Sequence, residues 1–323
     1  MLAVAGLLSG CAQGQFSTRE SRIGPDDGTD SCRPQLVALD STGNFFGAQI
    51  LTGAAIGAVT GGALGALIGR DWKGALIGAA AGGALGAAGG YWSALQQQHR
   101  DQAGMMNQVQ GDLSRENEQI DRTQLAFNQL TDCRFRQGEV VRADYRAGRI
   151  DRTTAVARMG TIKQRAERDL ALARQINQQI QGRGQQFTIA ADKIAPGSSA
   201  AIASASPPPR RTTVRRPVKL KLHPDPNAPE IGQLQARQPV TVTPSAGGYA
   251  LVQTDTGTRG YAPTTDLLGP TRSASPGPAS ASGPASSGEV RTLAGSNAAR
   301  RDSFAQSVAV SEQATSTGFE LAG

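Results

Sequence analysis

The sequence predicts a chain of several parts, largely α-helical, with one small all-β module. Three observations lead to this class. Glycine recurs at every fourth position through one uncharged stretch, apolar residues then recur every seven positions, and further along the apolar period changes to two. We therefore expect a glycine-lined helical hairpin, an antiparallel coiled-coil arm and a small β barrel, with disordered linkers and a disordered tail.

Residues 45–92 carry two runs of glycine at a spacing of four. Residues four apart lie on one face of a helix, so each run gives its helix one bare face. In water each Gly costs about 1 kcal/mol of helix propensity relative to Ala, but a bare face lets two membrane helices approach closely. The predicted helix-packing glycines are Gly53, Gly57, Gly61, Gly65, Gly69, Gly74, Gly78, Gly82, Gly86 and Gly90.

Both glycine runs lack Asp, Glu, Lys, Arg and His, and each approaches the ~20 residues that cross a hydrocarbon core. Between them, residues 70–73 (RDWK) combine charge with an aromatic ring, as a turn at a membrane–water boundary does. We expect an antiparallel hairpin that spans or lies on a membrane and that joins copies of the chain into a homo-oligomer. The alternative is a flexible Gly/Ala loop.

In glycine period and in its charged turn, the stretch 45–92 resembles the glycine-zipper domain of outer-membrane lipoproteins, the group typified by the rickettsial surface antigen. Leu8-Ser9-Gly10-Cys11 match the bacterial lipobox, and the preceding LAVAGLL has signal-peptide character. Residues 1–11 are thus predicted to be a signal peptide, with Cys11 lipidated by chains such as palmitate. Two acyl chains suffice for stable anchoring.

Two details qualify the lipobox. No Lys or Arg precedes the apolar run, so either the start lies upstream of Met1 or the lipobox is coincidental. The residue after Cys11 is Ala12 rather than Asp, which in lipoproteins of this kind implies the outer membrane. Residues 12–44 are polar and rich in Gly, Pro, Asp and Ser, and we expect a flexible tether there.

Cys32 and Cys133 are the other cysteines, and an oxidising periplasm permits a disulfide between them. A continuous helix after Trp92 would place Cys133 about 60 Å from the membrane at ~1.5 Å per residue. An intramolecular bond therefore needs a break in that helix, for which Gly104 and Gly111 are suitable. An intermolecular bond or two free thiols are the alternatives.

Residues 93–193 are predicted to form the antiparallel coiled-coil arm. Gly148 can end its first helix and Asp151 can cap its second. Glu116 and Thr123 weaken one position of the seam. The heptad positions are Met106, Leu113, Ile120 and Phe127 on the first helix, and Met159, Ala166, Ala173, Ile180 and Phe187 on the second.

Residues 194–213 form a Pro/Ser/Arg linker, and residues 214–269 read as five short strands with turns between them. In their order these features resemble a bacterial SH3 (SH3b) domain: the alternating strand VKLKLH, a Pro/Asn loop, then IGQL, VTV, GGYALV and a closing GTRGYA. The resemblance implies an SH3-like barrel that binds peptides or cell-wall fragments through aromatic residues. The tentative ligand residues are Tyr249, Tyr261, Pro263 and Arg259; alternatively, both tyrosines are half-buried barrel residues.

Residues 270–323 are rich in Pro, Ser, Ala and Gly, and we expect a disordered tail. The two histidines, His99 and His223, stand in unrelated segments, so we expect no catalytic residues, metal or cofactor. The net charge is +7, but motifs that read or stack bases are missing, so nucleic acid is not an expected partner.

Together these features predict a non-enzymatic lipoprotein of the bacterial outer membrane, facing mainly the periplasm. Its SH3b module would contact peptidoglycan or an envelope protein. A surface-exposed antigen or adhesin is one alternative, which protease access on intact cells would reveal. An accessory targeting component of a cell-wall hydrolase is another, although Cys133 lies inside the arm rather than in a catalytic domain.

Overall fold

The computed structural model describes residues 18–47, 84–99, 101–206, 208–269, 277–281 and 283–321. Within them are seven α-helices and a six-stranded antiparallel sheet, in agreement with the predicted α plus small-β class. The helices are α1 (Arg19–Ile23), α2 (Arg33–Gly47), α3 (Ala84–Gln98), α4 (Gln102–Arg146), α5 (Arg152–Ile194), α6 (Ser198–Ala205) and α7 (Ser287–Gly318).

Helices α4 and α5 form a long hairpin whose ends follow local rules. The Asp101 side chain accepts a hydrogen bond from Gly104 N and caps α4, and Asp151 accepts one from Thr154 N and caps α5. Between the helices, Gly148 adopts a φ of +69°, which favours glycine. The turn thus lies where the sequence placed it.

The heptad positions of α4 and α5 point into the interior. The seam holds Leu113, Ile120, Phe127, Met159, Ala166, Ala173, Ile180 and Phe187, all buried. The two residues expected to weaken it are buried as well, and both have partners: Glu116 meets Arg183 of α5, and the Thr123 hydroxyl donates to Gln119 O at 2.8 Å. The seam therefore tolerates polar groups whose hydrogen bonds are made.

The α4–α5 pair is not a free-standing arm, because α2 and α7 pack along it and complete a four-helix bundle. Helix α2 runs antiparallel to α4, with Cys32 bonded to Cys133 and Gln119 bonded to Thr42 O. Here the structure differs from the flexible tether expected at 12–44. Leu36, Leu39 and Phe46 give α2 an apolar face at helical spacing, and that face is buried.

Helix α7 corrects the expectation of a disordered tail at 270–323. It runs parallel to α4, with Phe304 against Phe127 and Gly318 O accepting from Arg142. Its buried face is unusual, because small and polar side chains are interspersed among few large apolar ones. These buried residues include Val290, Leu293, Ser296, Asn297, Phe304, Ser307, Val308 and Ser311.

The sheet has the strand order β1-β4-β5-β6-β2-β3. It is not closed into a barrel: β1 and β3 lie at its two edges. Helix α6 and strand β1 also occupy part of the expected linker, 194–213. The strands are β1 (Arg210–Thr213), β2 (Val218–Lys221), β3 (Glu230–Leu234), β4 (Pro239–Pro244), β5 (Tyr249–Gln253) and β6 (Arg259–Pro263).

Cys32 and Cys133 form a disulfide, with an S–S distance of 2.00 Å. Of the alternatives left open by the sequence, this is the intramolecular bond. The break in the helix that it required lies before the Asp101 cap of α4. Gly104 and Gly111, where the break was expected, lie inside α4 instead. The bond joins the start of α2 to the middle of α4.

Candidate functional site

The residues predicted to bind a ligand come together on strands β5 and β6. Tyr249 is opposite Pro263 in the sheet, and Arg259 is opposite Gln253. Tyr261 is opposite Leu251 on the same pair of strands. The sequence therefore identified one contiguous patch of the sheet.

Tyr261 of this patch faces the helical bundle, whereas Tyr249, Arg259 and Pro263 are partly exposed. Tyr261 is 1% exposed, and its hydroxyl lies 3.5 Å from Ser307 Oγ of α7. The Arg259 backbone N donates to Gln313 Oε1 of α7 at 2.7 Å. Burial raises the pKa of Tyr261 to about 12, outweighing the opposing effect of the Ser307 contact.

The apolar cluster around Tyr261 joins the sheet to both long helices and to α7. Tyr249 and Leu251 of the sheet pack against it while remaining partly exposed. Its buried members include Phe135, Val141, Met159, Leu222, Val310 and Phe319. Of the predicted ligand residues, Tyr261 thus lies inside an interface between the sheet and the bundle, and Tyr249 lies at the edge of it.

A polar contact fastens the same interface at its edge. His223 follows strand β2, and its Nε2 lies 2.8 Å from Asp132 Oδ1 of α4. The imidazole is nearly buried. The sequence singled out His223 only for its isolation, and its partner, 91 positions earlier, could not be anticipated.

Next to the disulfide, Arg134 is held between two carboxylates. Its Nε donates to Asp169 Oδ2 at 2.7 Å, and its Nη2 donates to Asp30 Oδ2 at 2.8 Å. Burial alone would lower the pKa of Arg134, but these bonds outweigh it and raise the pKa. Burial likewise opposes ionisation of Asp30, yet Arg134 keeps the pKa of that carboxyl below its usual range.

This placement gives Arg134 a structural role. The structure uses Arg134 as an internal cross-link between α4, α5 and the segment before α2. Arg136, in contrast, is exposed and lies on a groove.

We call this depression the hairpin groove. It lies where the α4–α5 seam continues past the start of α2, towards the turn at Gly148, and it measures about 660 Å³. The sequence offered no signal for it, because the groove is bounded by the point at which α2 begins. Its lining residues are Thr29, Ser31, Cys133, Arg136, Gln137, Val140, Val141, Arg158, Thr161, Ile162 and Arg165.

The glycine stretch meets the bundle through its two flanks. At the end of α2, a Cβ added to Gly43 would overlap the Ile176 side chain of α5, and Gly47 lies beside Gln179. On α3, the Tyr91 ring packs on Phe187 of α5 with centroids 5.2 Å apart. Gln179 and Phe187 are about 12 Å apart along α5 at ~1.5 Å per residue.

Most of the proposed anchor lies outside the described residues, namely Cys11 and the zipper glycines from Gly53 to Gly82. Gly86 and Gly90 are in α3. Among the helices described, none is long and apolar enough to cross a membrane. Within the same residues, no group of three or more His, Cys, Asp or Glu side chains is placed to hold a metal ion.

Comparison with known proteins identifies the central stretch. Residues 38–94 match the family model described as a YMGG-like Gly-zipper. The match begins inside α2 and ends inside α3, so it covers the glycine runs and both flanks. No curated protein and no solved structure matches the chain.

Proposed function

We propose that this chain is a non-enzymatic lipoprotein of the bacterial outer membrane. It is anchored by lipid on Cys11 and by a glycine-zipper hairpin, and it presents the bundle and sheet to the periplasm, where they contact peptidoglycan. The observation that carries the proposal is the Gly-zipper match over residues 38–94. A zipper without charged residues has its clearest use in close helix packing within lipid.

The docking of α2 and α3 supports the hairpin. Both flanks of the glycine stretch bind α5 within about 12 Å, or roughly two turns. The glycine stretch thus leaves the bundle and returns to it at nearby points. This arrangement suits two antiparallel helices of similar length joined by the Arg70–Lys73 turn. In oligomers, the bare glycine faces of neighbouring copies would pack together.

The disulfide supports a periplasmic location. A bond between Cys32 and Cys133 persists in an oxidising environment such as the periplasm and is rare where thiols are kept reduced. The lipobox Leu8–Cys11 and the absence of Asp at position 12 support export and sorting to the outer membrane.

The finer assignments belong to the same proposal. The zipper resembles that of the rickettsial surface antigen group, and the order of features in 214–269 resembles an SH3b domain. Since Tyr249 and Tyr261 face the bundle, we propose that the sheet acts as a structural module and that the wall contact lies on the helices.

The anchor is tested by fractionating cells that express the full chain and feeding them an alkyne analogue of palmitate. We expect label on the protein, and retention in membranes washed with high salt and alkaline carbonate. Cys11→Ala should abolish the label. The double variant Cys32→Ala/Cys133→Ala is the matched control and should keep it, because those thiols are not acylation sites. An unlabelled protein released by the washes would refute the proposal.

A further inference from the structure

The hairpin groove combines a basic rim with an apolar floor. Arg136 projects from α4, and Arg158 and Arg165 project from α5. None of the lining residues is a carboxylate. Val140, which also lines the groove, is 59% exposed, so a branched apolar side chain is open to a ligand there.

We propose that the hairpin groove binds the carboxylate-bearing stem peptides of peptidoglycan. This inference rests on the proposed function, which places the protein beside the cell wall, and it names the surface that makes the contact. Stem peptides combine several carboxylates with the small methyl side chains of alanine. The groove offers guanidinium groups for the former and valine and isoleucine side chains for the latter.

The arginines are arranged for carboxylate recognition. Arg165 is fixed, because its Nη1 donates to Thr29 O at 3.1 Å and its Nη2 donates to Thr29 Oγ1. It also forms a loose ion pair with Asp30, at 3.9 Å. Arg136 is 3.9 Å from Asp132, again a loose pair. Arg136 on α4 and Arg158 on α5 both line the groove, and guanidinium groups recognise carboxylates through charge-assisted hydrogen bonds.

The groove also fits a short peptide in size and polarity. Its volume of about 660 Å³ falls within the range of small-ligand pockets, ~300–1,000 Å³. Gln137 donates from Nε2 to Ser31 Oγ at 2.6 Å, while its buried Oε1 has no partner in the described part of the chain. The bond to Ser31 holds the Gln137 side chain in place at the wall of the groove.

The burial of Tyr261 strengthens the assignment. Tyr261 is buried against α7, which removes one of the two candidate tyrosines from contact with a wall ligand. The hairpin groove opens beside the turn at Gly148, at the end of the hairpin remote from α3 and the returning glycine stretch. A protein anchored by that stretch would present the groove away from its own membrane.

The test uses the full chain purified in detergent and the soluble tripeptide L-Ala-γ-D-Glu-diaminopimelate, with isolated sacculi in parallel. We expect the protein to co-sediment with sacculi and the tripeptide to compete. The variant Arg136→Gln/Arg158→Gln should weaken binding about tenfold or more, since it removes two charge-assisted contacts. Val140→Asp should abolish binding without unfolding the chain, because Val140 is exposed.

The matched control is Arg122→Gln/Arg152→Gln, which changes net charge equally outside the groove and should leave binding intact. Unchanged sacculus binding by the Arg136/Arg158 variant would overturn this inference while the proposed wall contact stood. Competition by inorganic phosphate as effective as that by the tripeptide would also overturn it, in favour of general anion binding. No sedimentation of the wild-type protein would remove the wall contact and the inference together.

Discussion

Arg183 of α5 donates from Nη2 to Oε2 of Glu116 on α4 at 2.6 Å, inside the four-helix bundle. Glu116 is 1% exposed, and the Arg183 guanidinium also lies over the Phe45 ring of α2 at 4.9 Å. Three helices therefore meet at one ion pair. Glu116 interrupts the heptad pattern in the sequence. In the structure its carboxylate is a specific cross-link between helices.

Breaking this pair is predicted to destabilise the protein strongly. Glu116→Leu leaves the Arg183 charge buried without its main partner, and we expect a loss of about 3–5 kcal/mol in the free energy of unfolding. The double variant Glu116→Leu/Arg183→Leu should lose less, since no charge is stranded. Urea unfolding followed by circular dichroism measures both.

The control for that series is Arg174→Gln, which removes an exposed pair with Glu312. Exposed pairs contribute about 0–1 kcal/mol, so this variant should unfold close to wild type. Equal losses for the buried and exposed pairs would contradict the assignment of Glu116 to the interior.

The disulfide is predicted to stabilise the fold by restricting the unfolded chain. It closes a sequence separation of 101 residues, for which the chain-entropy model gives about 4–5 kcal/mol and measured bridges typically give 2–4. Cys32→Ala/Cys133→Ala should therefore unfold at a clearly lower urea concentration than oxidised wild type. Reduced wild type should resemble the double variant. If reduction leaves the midpoint unchanged, the bond is not formed.

Helix α7 is predicted to be essential for the bundle. The Phe304 side chain is fully buried and meets Phe127 edge-on at 5.7 Å, so Phe304→Ala should cost about 3–5 kcal/mol. Thr317→Ala, at an exposed position of the same helix, should have little effect. A disordered tail would instead make both substitutions silent and would be cut quickly by trypsin at Arg300 and Arg301.

The burial of Tyr261 is predicted to delay the ionisation of its phenol as the pH rises. The phenol of an unfolded chain ionises near pH 10, whereas in the folded protein the pKa of Tyr261 is about 12. The folded state therefore holds more protons between these values, and stability falls as pH rises through that window, by about 2–3 kcal/mol. Phenolate absorbance should show Tyr261 ionising late, and Tyr261→Phe should flatten this part of the stability profile. Ionisation at pH 10 would mean that the helical bundle does not cover Tyr261.

The hairpin was predictable because it depends on local signals. The Gly148 turn, the Asp151 cap and the sevenfold apolar spacing each act within a few residues, and the structure contains all three. Tyr249 and Tyr261 lie on the same face of adjacent strands, since alternate residues of a strand share a face, and their role as ligand residues stays a prediction.

What covers these elements could not be derived from the sequence. Helix α7 buries serines and Asn297 beside only a few large apolar residues, so its composition resembles that of an unstructured tail. Its packing becomes favourable only when the surfaces of α4 and α5 supply partners, such as Asn117 for Asn297 at 3.0 Å. The hairpin groove escaped prediction for a related reason, because it is defined by where α2 begins.

The central position of α7 affects the order in which this protein can fold during synthesis. Helix α7 lies later in the chain than every other described element, yet it contacts α4, α5, α6 and β6. Until α7 has been synthesised, the faces of α4 and α5 that it covers remain exposed in the nascent chain. Final compaction is therefore a late step, and a premature stop codon before position 287 would leave a product without α7 and its contacts with α4, α5, α6 and β6.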